Sequence, residues 1–228
     1  MTFYARICAT LVPLLALSGC LLSPGKFTSS LDIRKDGSFS FAYAGEVIVA
    51  EPSGQMPGMA EGDDGKASAP AKSAQAAKET AAKTKAIADA LAKEKGFRSV
   101  RVTGSDRLSV DYRIDGRLDH SFVFPFNIDA KAIIPFLAIE VRADGKVRMI
   151  APGFGEEASG PAAGPMGDMG GGGGAKERNG TFTLTTDAEI VSQNQEDGAK
   201  DGPRGKQIVW TITPETRVAP MAVLKLSK

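Results

Sequence analysis

Histidine and cysteine are nearly missing from this chain, with one His and two Cys in 228 residues. So few ligands leave no four-residue structural zinc site and no disulfide framework. An excess of either charge is missing too: 28 basic residues stand against 27 acidic ones, and a nucleic-acid binder needs a basic footprint. No apolar run reaches the ~20 residues of a helical membrane span. Neither collagen-like glycine periodicity nor a sustained heptad pattern is present, and 42% hydrophobic residues is enough to build a core.

What is present begins at the N-terminus. Arg6 supplies a positive start, and Ile7 to Leu17 form a short apolar stretch of the kind found in secretory signals. It ends in Leu17-Ser18-Gly19-Cys20, the pattern of a bacterial lipobox. Small residues at Ser18 and Gly19 let an extended backbone enter a peptidase, with cleavage between Gly19 and Cys20. The Cys20 thiol takes diacylglycerol, and after cleavage its freed amine can take a third acyl chain. Each buried CH₂ is worth roughly 0.8 kcal/mol, so two or three acyl chains hold a protein firmly on a bilayer. Residues 1–19 are thus expected to be a signal peptide and 20–26 a lipidated anchor and tether. Leu21, rather than Asp, after the anchor favours the outer membrane, periplasmic side, in a diderm host. Removing residues 1–19 takes away Arg6 and Cys8, which leaves 27 residues of each charge and Cys20 as the single cysteine. With that thiol acylated, Cys/His catalysis is excluded.

Downstream, period-two text alternates with linker text. Phe27, Leu31, Ile33, Phe39, Phe41, Tyr43, Val47 and Val49 all fall at odd positions around Asp36-Gly37, a strong hairpin signal. Leu108, Val110, Tyr112 and Ile114 lead to Asp115-Gly116, then Leu118, His120, Phe122, Phe124 and Phe126 follow. A third pair, 136–141 and 147–150, flanks Asp144-Gly145. Three Asp-Gly hairpins predict an antiparallel meander. Strands resume at 181–185, 188–193, 208–212 and 221–226, with a turn region at 196–206.

Residues 71–95 are rich in Ala and Lys and read as one long helix. Glu79–Lys83 and Asp89–Lys93 are i,i+4 pairs, and Gly96 is a left-handed cap that folds Phe97 back on Leu91. Residues of about 51–70 and 153–179 read as disordered insertions rich in Gly, Pro and Met. Roughly 160 residues remain, a single-domain size. The expected fold is α+β: a strongly twisted antiparallel sheet of about eight strands packed on the long helix, all within 27–228.

The order of these segments, ending with Asn179-Gly180-Thr181-Phe182 and then Ile208-Val209-Trp210-Thr211-Ile212, resembles the LppM-like bacterial lipoprotein domain over most of the mature chain. That resemblance implies an antiparallel α+β fold, an anchor outside the cytoplasm, and association with lipid or glycolipid.

No catalytic set stands out. His120 lies in the apolar register between Leu118 and Phe122, the pattern of a structural histidine, and no nucleophile is paired with it. Asp115 belongs to a turn, while Asp111 and Asp119 fit solvent-facing positions. Gly170–Gly174 followed by Ala175-Lys176 lacks the Gly-Lys-Ser/Thr ending of a phosphate loop. Met56/Met59 and Met166/Met169 are two Met-x-x-Met pairs, soft ligands that suit Cu(I). Lys72, Lys78, Lys83, Lys85, Lys93 and Lys95 outnumber Glu79, Asp89 and Glu94 on the helix, a composition suited to anionic headgroups.

The expectation is therefore a non-enzymatic, lipid-anchored envelope protein without cofactor or nucleic-acid partner. It binds an apolar or lipid-like ligand in a cavity lined by Phe122, Phe124, Phe126, Phe136 and Trp210. The alternatives are an envelope scaffold with a solid core, or Met-mediated copper binding.

Overall fold

The computed structural model describes residues 21–50, 70–125, 135–155 and 175–227. In chain order these form β1 (Leu21–Ile33), β2 (Ser38–Ala50), α1 (Pro70–Leu91), β3 (Phe97–Val102), β4 (Arg107–Arg117), β5 (Phe122–Phe124), β6 (Leu137–Val141) and β7 (Lys146–Ile150). Then come β8 (Asn179–Thr186), β9 (Glu189–Gln193), β10 (Lys200–Gly202), β11 (Gly205–Ile212) and β12 (Met221–Lys225). One sheet has seven strands in the order β10-β11-β8-β1-β2-β4-β3, and the other has five in the order β5-β6-β7-β12-β9.

The first hairpin follows its local text. Arg34 N–H donates to Ser38 O at 2.8 Å, Asp36 Oδ1 accepts from Ser38 N at 2.9 Å, and Gly37 takes φ +83°. Every odd-numbered apolar residue named for it is buried, from Phe27 to Val49. The β6–β7 hairpin at Asp144-Gly145 also forms, with Gly145 at φ +79°.

The Asp115-Gly116 hairpin does not form. β4 runs straight through both residues, pairing Asp115 with Ser40 and Gly116 with Phe39 of β2. Glycine is used there for space: a Cβ on Gly116 would sit 3.0 Å from the Phe39 ring. The strand ends only where Leu118 N–H reaches Gly37 O, opposite the first turn. The chain then crosses into the second sheet. β1 pairs in parallel with β8, so the large sheet is mixed and not a meander.

The expected α+β architecture is overturned as well. The molecule is mostly strand, with twelve strands and a single α-helix among the described residues. The apolar face of the seven-stranded sheet is covered by the five-stranded sheet, not by the helix. Phe41 and Tyr43 of β2 lie 5.0 Å and 5.6 Å from Phe124 of β5, and Tyr43 lies 5.5 Å from Phe136 beside β6. Size explains the outcome. Seven strands at ~4.8 Å spacing make a face about 30 Å wide, and a helix ~10 Å across covers only a third of it. Accordingly α1 packs at one flank, against β3 and β4. There it buries Thr84, Ile87, Ala88 and Leu91, and Thr84 Oγ1 donates to Ser105 O at 2.8 Å.

Helix α1 stops at Leu91, so Gly96, although left-handed at φ +99°, lies beyond its end and not at its cap. Asp89, expected to pair with Lys93, pairs instead with Lys85 one turn earlier, at 2.8 Å. Residues 51–69 and 156–174 of the two expected insertions lie outside the described residues. The flanks of the second are ordered into the core: Phe154 is fully buried and stacks on Phe27 at 4.4 Å. Arg178, also buried, donates to Gly155 O at 3.0 Å. The stretch expected to be a tether, 21–26, belongs to β1.

Candidate functional site

An open cleft of about 370 Å³ lies where the edge of the small sheet meets the β3–β4 flank of the large one. Its floor is aromatic. Gly96 makes the wall possible, since a Cβ there would be 2.5 Å from the Tyr112 ring. The bare backbone crosses Tyr112 and sets Phe97 edge-on to it, with centroids 4.8 Å apart. Phe124 also packs on Tyr112 at 4.4 Å and lies 6.1 Å from Phe97, and Phe122 follows along β5, 5.2 Å from Phe39. Val123, between them on β5, also lines the cleft and is 36% exposed. Glu94, Lys95, His120 and Ser121 complete the lining.

The electrostatics suit an apolar guest with one polar end. Burial, with the Glu94 carboxylate adding to it, pushes the Tyr112 hydroxyl up to about 12, so it remains a neutral donor. At the rim His120 Nδ1 is bonded to Asp119 Oδ1, and that contact, ahead of the local backbone groups, holds the Asp119 carboxyl below its usual range. Glu94 and Lys95 put one charge of each sign on the opposite lip.

The five residues expected to line a cavity divide. Phe122 and Phe124 are on this cleft. Phe136 is fully buried between Tyr43 and Phe154, away from it. Trp210 is core on the far flank, stacked on Phe182 at 5.6 Å, its Nε1 donating to Asn194 Oδ1 at 3.2 Å. Phe126 lies outside the described residues, as do Gly19, Cys20, Met56, Met59, Met166 and Met169. His120 departs from the expectation: its side chain is 84% exposed, because the strand that would have continued its apolar register ends at Arg117. Tyr112 and Phe97 were missed as site residues. Tyr112 reads as an ordinary strand residue and Phe97 as a partner of Leu91 behind a helix cap, and only the crossing at Gly96 joins them.

Among the described residues no group of three or more His, Cys, Asp or Glu is placed to hold a metal ion, and no helix is long and apolar enough to cross a membrane. Two further clefts are polar. One of about 520 Å³ lies between Lys35, Asp144, Asp187, Glu189 and Lys225. The other, about 330 Å³, lies between Lys26, Glu46, Arg107 and Glu177. The second is closed by ion pairs, with Arg107 bonded to Glu177 at 2.6 Å.

No family model and no curated protein matches the chain. Among solved structures, the chain is similar to the folded domain of Mycobacterium tuberculosis LppM, with 12% identity over 90% of this chain and 92% of that one, at a TM-score of 0.35.

Proposed function

We propose that this protein is a non-enzymatic, lipid-anchored envelope module that takes an apolar, lipid-like ligand in the cleft between Phe97, Tyr112, Phe122, Val123 and Phe124. The cleft carries the reading: it is open, aromatic-floored and supplied with one neutral hydroxyl. Its volume is near the lower end of the ~300–1,000 Å³ typical of ligand sites, the size for a single chain segment. Each methylene that leaves water there contributes about 0.8 kcal/mol. Support for the anchor is the Leu17-Ser18-Gly19-Cys20 pattern at the end of a short apolar stretch. Location in the outer membrane follows from Leu21 if the host is a diderm.

The test is titration with a fluorescent fatty acid, comparing the native chain with Val123→Asp. Val123 lines the cleft and is partly exposed, so the substitution adds a carboxylate to the lining without opening the core. Binding is expected to weaken at least tenfold with the unfolding midpoint held. Equal affinity of both proteins would overturn the assignment of the cleft.

A further inference from the structure

The place where β1 begins fixes how an acylated chain must sit on its membrane. The first strand residue is Leu21, paired with Ala50, and Leu22 is already buried. Cys20 is its covalent neighbour, about 3.8 Å away Cα to Cα. An acyl group on Cys20 would be tied to the chain one residue ahead of the first strand.

The same end of the sandwich can be mapped from the register. Ile48 pairs with Arg107, and Val49 N–H donates to Asp106 O at 2.7 Å, so the β3–β4 connection lies beside Leu21 and Ala50. Val102, 48% exposed, and the exposed Arg101 lie next to that connection. The helix points the same way. Thr84 is bonded to Ser105 in this connection, and from there α1 runs toward Leu91 and on to Gly96 against Tyr112. Its earlier residues therefore lie on the anchor side, where Lys78 and Lys83 stand against a single acid, Glu79. Tyr112 is five residues along β4 from Arg107, about 16 Å at ~3.3 Å per residue.

We infer that the bilayer carrying the acyl chains is the partner of this end: the β1 start, the β3–β4 connection and the first half of α1 rest on its headgroups, while the aromatic cleft faces away. This rests on the acylation of Cys20 and on the cleft assignment proposed above. A ligand then reaches the cleft from the aqueous side or from a carrier docked there, not by sliding sideways out of the anchoring leaflet. The lysines of the early helix add attraction for anionic lipid.

The experiment uses the full lipidated chain in vesicles of phosphatidylethanolamine and phosphatidylglycerol that contain a headgroup-nitroxide lipid. With Cys20 acylated, a cysteine added by Val102→Cys or Val123→Cys is the single labelling site for a fluorophore. Quenching at least threefold stronger at position 102 than at 123 is the expected result. Twelve Gly/Ser residues inserted between Cys20 and Leu21 add roughly 20 Å of reach and should bring the two values together. Equal or stronger quenching at 123 in the native-length chain, with acylation verified by mass, overturns the orientation and leaves the anchor standing. A chain without an acyl group at Cys20 overturns the anchor, and the orientation falls with it.

Discussion

Phe124 is where the sheet-on-sheet core can be tested most sharply. It is 2% exposed, and its ring lies 4.4 Å from Tyr112, 5.0 Å from Phe41, 5.6 Å from Tyr43, 6.0 Å from Phe136 and 6.1 Å from Phe97. Truncation to alanine removes the transfer energy of a phenyl ring and leaves a cavity between two sheets that cannot close on it. Such changes cost about 3–5 kcal/mol, a large part of a total stability of roughly 5–15 kcal/mol. At about 2–4 °C per kcal/mol for a domain of this size, the melting temperature should fall by roughly 6–20 °C. The assay is urea unfolding followed by far-UV circular dichroism and by the fluorescence of Trp210, the sole tryptophan. Trp210 is on β11, three strands away from β2 across the large sheet, yet it belongs to the same continuous core. One cooperative unit therefore requires both signals to shift together, with an unchanged denaturant slope. If the Trp210 transition stays in place while the dichroism transition moves, the two flanks are separate cores and the reasoning fails.

Two further outcomes follow from buried polar groups. Tyr43 is fully buried, donates to Glu46 O at 2.7 Å, and is pushed well above the usual tyrosine value by burial and then by the Glu46 charge; Tyr112 rises to about 12. A folded value above the unfolded one means stability that is complete below pH 10 and is lost as pH rises beyond it. The loss should approach ~1.4 kcal/mol per pH unit for each tyrosine. In a chain made without residues 1–19, whose tyrosines are these two, tyrosinate absorbance should stay absent near pH 10 while the fold persists, and smooth titration there in the folded state would contradict their burial. Asn194 ties three segments: its Oδ1 accepts from Trp210 Nε1 and from Met221 N at 2.9 Å, and its Nδ2 donates to Ala219 O at 2.7 Å. Asn194→Ala should cost about 2–3 kcal/mol and change the Trp210 emission, at roughly 1 kcal/mol per lost bond. An unaltered spectrum and midpoint would show that these bonds do not hold the β11–β12 corner.

Local text was enough wherever both partners of a contact are near neighbours in the chain. The β1–β2 and β6–β7 hairpins were legible because alternation and an Asp-Gly turn lie in one stretch and are closed by bonds of a few residues' span. The helix was legible from propensity, and so was the odd-numbered apolar face of the first hairpin. The same Asp-Gly signal failed at 115–116, where the deciding neighbour is Phe39 of a distant strand. Two of the four aromatic residues on the cleft, Phe122 and Phe124, were legible as a pair, because aromatic residues at alternate positions mark a buried strand face. Tyr112 and Phe97 were not, since nothing within either strand records that Gly96 crosses between them.

Sequence by itself determined the locally closed elements: the β1–β2 and β6–β7 hairpins, the helix, the apolar side of the first hairpin, and the acylation pattern written ahead of it. Tertiary structure alone decided that β1 lies parallel to β8, that a second sheet and not the helix closes the core, and that His120 is at a rim. The physical reason is the width of the apolar face. Periodicity states that a face must be covered, but which element covers it depends on areas that exist only once distant strands have been laid side by side.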